Sequence, residues 1–192
     1  LRQEISGVSS SYSFHGKDET LKLYAVSSGN GSIEYASSDE GVVVAAPKTG
    51  RITVMGPGIA TIKVTASETL NYLKEEKNID VVVEPEQVSE LSVKNNSSNA
   101  VSVQWNKVPG ASGYEVYKYH DLYEEYILVD TVPANQTDYK FNQLSSGTKY
   151  KFKVRAFTDT ARGKLYGASA KCTASTKTAN AKTTNDKTDD SA

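Results

Sequence analysis

Helical spacing is nearly absent from this chain, and short alternating runs take its place. Across residues 60–66, Ala60, Ile62, Val64 and Ala66 alternate with Thr61, Lys63 and Thr65. A period of two sets the first group on one face of a β-strand and leaves the second to solvent. Runs rich in Val, Ile, Tyr and Thr recur at 21–26, 32–37, 41–46, 51–55 and 78–83. They continue at 88–94, 100–105, 113–119, 125–131, 137–141, 149–157 and 167–176. Clusters of Gly, Pro, Asn, Asp and Ser separate them, so the chain is expected to be all-β, of sandwich type. Gly56-Pro57-Gly58 lies between two of the runs and reads as a hairpin turn, proline fixing one backbone angle and glycine freeing the next.

The chain of 192 residues has room for two modest cores. An apolar run stops at Val83, the acid-flanked Pro85 follows, and a new pattern starts, which sets a domain boundary at 84/85. The connection is only a few residues long, so two Ig-like β-sandwich domains in tandem, 1–84 and 85–177, are expected with limited relative freedom. Seven runs in the second segment match the strand number of a small Ig-like sandwich. Residues 178–192 carry no aromatic or large aliphatic side chain and read as a disordered linker or tail. The chain opens on Leu1, which reads as a segment of a longer protein, so the lack of a leader does not argue for a cytoplasmic one.

Charge is nearly balanced, 22 basic against 23 acidic groups. That leaves no electrostatic footprint for nucleic acid, and no run of ~18 apolar residues supports membrane insertion. The single Cys172 forbids an internal disulfide and reads as a small core residue on the last strand.

Chemistry is harder to find. No serine sits in a G-x-S-x-G elbow, no glycine loop suits a phosphate, and the acids form no marked pair. His120, Asp121, Glu124 and Glu125 share a loop, but one histidine among scattered acids is not a metal-ligand spacing. His15 lies in a turn-like stretch far away in sequence. Neither an enzyme nor any cofactor or metal is expected.

The remaining feature is Tyr114 to Tyr126, which holds five tyrosines. Alternation places Tyr114 and Val116 on the face that the resemblance described below assigns to the core, and Glu115, Tyr117 and Tyr119 on the other. His120 to Glu124 form the turn. Partly exposed rings at Tyr117, Tyr119 and Tyr123, with Tyr166 as a neighbour, are candidate ligand contacts, because a tyrosine offers contact area at low entropy cost. The plain alternative is that they cover a sheet face or pack on lysine stems, since aromatics are ordinary strand formers.

Two resemblances follow from these residues. Ser37-Ser38-Asp39, Val42, Val44, Gly50, Ile52, Gly58, Ala60, Ile62 and Val64 resemble the progression of the bacterial Ig-like group-2 domain, over roughly residues 1–84. Residues 85–177 resemble a fibronectin type III domain through VSVQW at 101–105, VPGASGYEVYK at 108–118 and LSSGTKYKFKVRAF at 144–157. That resemblance makes Trp105 the core tryptophan, and it assigns Leu144 and Tyr150 to a tyrosine corner. Together the families imply spacer and interaction modules of a bacterial secreted or cell-surface protein, working beside other domains of the parent. The alternative they allow is adhesion to a polysaccharide or a host or matrix protein.

Overall fold

A computed structural model describes residues 1–179 and is all-β there. The N-terminal strands are β1 (Ile5–Ser6), β2 (Ser11–His15), β3 (Thr20–Lys22), β4 (Val26–Ser27), β5 (Ile33–Ser37), β6 (Val43–Ala45), β7 (Arg51–Val54), β8 (Gly58–Ala66) and β9 (Glu75–Glu84). One sheet runs β2-β9-β8-β5 and faces a second, β3-β7-β6, while β1 pairs with β4. All pairs are antiparallel except β2 on β9. The alternation along 60–66 is realised in β8. Ala60, Ile62, Val64 and Ala66 are buried and pack with Ile52, Val54, Ile79 and Val81 in one core.

The C-terminal strands are β10 (Ser92–Asn96), β11 (Val101–Gln104), β12 (Gly113–His120), β13 (Glu125–Pro133), β14 (Asp138–Phe141), β15 (Lys149–Thr160), β16 (Gly163–Tyr166) and β17 (Ala170–Ser175). One sheet is β10-β11-β14. The other is β13-β12-β15, with β16 and β17 pairing successive parts of the long β15. Trp105, Tyr114, Val116, Phe141, Phe152 and Val154 build a second core. Trp105 meets Tyr114 edge-on at 5.3 Å, and the Tyr114 hydroxyl accepts the Val108 N–H at 2.8 Å. Leu144 is buried, and the Tyr150 hydroxyl accepts the Ser145 N–H at 2.8 Å, which ties the crossover between the sheets as a tyrosine corner does.

Several elements depart from the expected runs. Gly56-Pro57-Gly58 makes no hairpin: β7 and β8 lie in different sheets, so the turn carries the chain from one to the other. The run at 21–26 is not one strand. β3 ends at Lys22, Leu23 turns into the core with its N–H on the Gly50 carbonyl, and the chain then pairs anew as β4. The run at 88–94 bends because Glu90 takes a left-handed φ of 53°, so Val88 packs in the core ahead of the strand. The expectation for 178–192 lies almost wholly outside the described residues.

The two sandwiches touch. A Cβ on Gly110, whose φ is +71°, would lie 2.5 Å from Pro57 Cδ, so the Gly56-Pro57-Gly58 turn is seated directly on the other domain. The connection itself is packed on the second sandwich: a Cβ on Gly167 would lie 2.5 Å from the Pro85 carbonyl oxygen and 2.7 Å from that of Glu86. Arg162 Nη1 reaches Asp80 Oδ2 at 3.2 Å across the same side.

Candidate functional site

Strand β12 has Tyr114 and Val116 in the core and presents Glu115, Tyr117 and Tyr119 on the outer face of its sheet. On β15 the alternation buries Phe152, Val154 and Ala156, so Lys151, Lys153 and Arg155 point the same way as Tyr117. Register sets Glu115 opposite Arg155 and Tyr117 opposite Lys153. The outer face is therefore a ladder of carboxylate, rings and cations.

At its centre Glu115 is buried although it lies on the outer face. One carboxylate oxygen accepts Arg155 Nε–H and Nη2–H at 3.0 and 2.8 Å and the Tyr117 hydroxyl; the other accepts the Tyr166 hydroxyl at 3.0 Å. Lys164 Nζ stands 3.6 Å away. Burial pushes the Glu115 carboxyl up, but hydrogen bonds from Tyr117, Arg155 and Tyr166 and the charge of Arg155 outweigh it, and the net direction is down. Burial, then the bond to Glu115, push the Tyr117 phenol up to about 12.

Cations cover the ring faces. Lys153 Nζ sits 3.8 Å from the Tyr117 centroid, Lys151 Nζ 4.3 Å from Tyr119, and Arg155 Cζ 3.6 Å from Tyr166. Tyr126 meets Tyr119 edge-on at 5.1 Å and has Lys153 and Lys171 within 5.2 and 5.4 Å.

The structure thus gathers Tyr117, Tyr119 and Tyr166 and leaves Tyr123 apart. Tyr123 is 63% exposed and stacks on His120 at 4.5 Å in the hairpin loop. The expected exposure of Tyr117 is corrected: it is 7% exposed, because Glu115 takes its hydroxyl and the stems of Lys153 and Arg155 roof its ring. Sequence reasoning missed Tyr126 and the cations, although the alternation of 149–157 sets Lys151, Lys153 and Arg155 opposite the face of Phe152 and Val154. His15 pairs with Glu84 at 2.9 Å. Among the described residues, no three His, Cys, Asp or Glu side chains stand together as metal ligands. Cys172 is half-buried against the core, and burial pushes its thiol up. Among the described residues no helix is long and apolar enough to cross a membrane.

The fibronectin type III domain family model matches residues 86–171, so the C-terminal sandwich is a fibronectin type III domain. Among solved structures, a segment of two fibronectin type III domains from chicken tenascin is 16% identical. The match covers 91% of this chain and 97% of that one with a TM-score of 0.64, a likeness of fold: two sandwiches in tandem. The single-domain structure FN3tt is 22% identical, the match covering 48% of this chain and 95% of that one, with a TM-score of 0.41. No curated protein matches the chain.

Proposed function

We propose that the chain is a non-catalytic spacer that holds other domains of a longer protein at a set distance and angle. The observation that carries this reading is the interdomain seat, where the Pro57 ring occupies the space a side chain on Gly110 would need; the connection at Pro85 and Glu86 is in turn seated on Gly167 of the second sandwich. A connection of a few residues, itself packed on the second sandwich and backed by direct contact between the domains, leaves little room for bending. The Arg162–Asp80 pair adds only a small, salt-sensitive share, since both groups are about half exposed.

In this reading residues 1–84 are a bacterial Ig-like group-2 module, 85–177 the fibronectin type III module, and 178–192 a linker or tail. The parent is a bacterial secreted or cell-wall-attached protein, and the work is mechanical, with no cofactor and no reaction. Small-angle scattering of the full chain tests it. A curve fitted by one fixed arrangement of the two sandwiches supports the spacer, and one that needs a broad ensemble of bends overturns it.

A second reading, an adhesion module for carbohydrate or a host or matrix protein, has its own support in the cation-covered tyrosine face of β12 and β15.

A further inference from the structure

We propose that this face docks an anionic polysaccharide carrying about one carboxylate per sugar, a polyuronate, on Lys151, Lys153 and Lys171 flanked by Tyr119 and Tyr126. The inference rests on the adhesion reading and names its ligand class.

Arg155 and Lys164 have Glu115 as partner, and Glu115 is the buried carboxylate of the face. Lys151, Lys153 and Lys171 have no carboxylate within ion-pair distance among the described residues. Lys153 stands directly opposite Lys171 across the β15–β17 ladder, a like-charge pairing that disfavours the bare sheet. Burial first, and then the charges of Arg155 and Lys171, pull the Lys153 ammonium down, and a bound anion would offset the part that comes from charge.

Geometry then narrows the partner. Stacking on a neutral sugar or a nucleobase needs an open ring face, and here Lys151 sits over Tyr119 while Lys153 and Lys171 flank Tyr126. The face consequently offers ammonium groups and hydroxyl edges. A protein partner is disfavoured because lysine is depleted from protein interfaces, and an extended peptide needs a free strand edge rather than a sheet face. Lys151 and Lys153 are about 7 Å apart along the strand, with Lys171 about 5 Å across from Lys153. Single anions repeated along a linear polymer meet that spacing one by one.

The test is titration of the full chain with polygalacturonate oligomers by calorimetry at low and at physiological ionic strength. Lys153→Gln, Lys171→Gln and the double variant are measured beside Lys94→Gln, which lies on the other sheet. Saturable, salt-sensitive binding is expected, weakened about fivefold per lysine removed and unchanged by Lys94→Gln. Unfolding midpoints of the variants, measured in parallel, separate lost contact from lost fold. Equal weakening by Lys94→Gln shows a general charge effect and overturns the site. Saturable binding of an uncharged glycan, or of polyglutamate alone, overturns the ligand class while the adhesion reading stands. Absence of binding to any glycan or acidic polymer overturns both.

Discussion

Replacing Glu115 by Gln tests whether the outer face of the second sandwich is held by its buried carboxylate. Glu115 has 7% of its side chain exposed and Arg155 31%. Breaking a fully buried pair costs about 3–5 kcal/mol, and exposed pairs are worth about 0–1. With roughly a third of the guanidinium still wet, about 2 kcal/mol is the fitting figure for the pair. The Tyr117 and Tyr166 hydroxyls also lose a charged acceptor for a neutral one, about 0.5 kcal/mol each. The total is about 3 kcal/mol, or on the order of 15 °C in Tm for a domain of about 90 residues. Trp105 is the single tryptophan of the chain and lies in this core, so its fluorescence reports this sandwich alone. Because the folded carboxyl is depressed, its contribution is full above the ordinary value of about 4.3 and fades as pH falls through the lower folded value. The wild-type and Glu115→Gln curves should therefore differ at neutral pH and converge in acid. A difference below about 0.5 kcal/mol at pH 7, or one that stays constant into acid, refutes the network as a source of stability.

Other expected outcomes follow from single contacts. In alkaline spectrophotometric titration one phenol should ionise near 12 and vanish in Tyr117→Phe; since that folded value lies above the ordinary 10, its contribution is full below pH 10 and lost as pH rises through about 12. Tyr150→Phe removes the acceptor for the Ser145 N–H and should cost about 1 kcal/mol in urea unfolding followed by Trp105. Gly110→Ala and Gly147→Ala both place a Cβ at left-handed φ, +71° and +63°, an expense of about 1–2 kcal/mol each. Only the first also meets Pro57, so only Gly110→Ala should broaden the small-angle scattering profile.

Much of the fold was legible because period-two alternation is enforced by burial. β8, β11 and much of β15 carry buried residues at every second position, and their runs read directly as strands, whereas β12 is buried on both faces from Gly113 to Tyr117. β2 escaped notice because Ser11–His15 buries only Phe14 and is ordered by parallel pairing with β9, a long-range contact that leaves no local pattern. β16 is likewise defined by its partner β15 rather than by its own sequence. The candidate site was half legible. Alternation gave the outer set of β12, but exposure does not follow from facing outward: Tyr117 is roofed by side chains from β15, which only the register supplies. The Gly-Pro-Gly signal marks a sharp turn but not that it passes between sheets, and its seating on Gly110 joins positions far apart in sequence.

The spacer account stands or falls on the relation between the two domains. Residual dipolar couplings measured for backbone amides of both sandwiches in one aligned sample give each domain's alignment tensor. The account expects the two tensors to coincide in magnitude and orientation within the structure's own frame. Tensors of clearly different magnitude would show independent reorientation, and the chain would then be a flexible tether rather than a spacer.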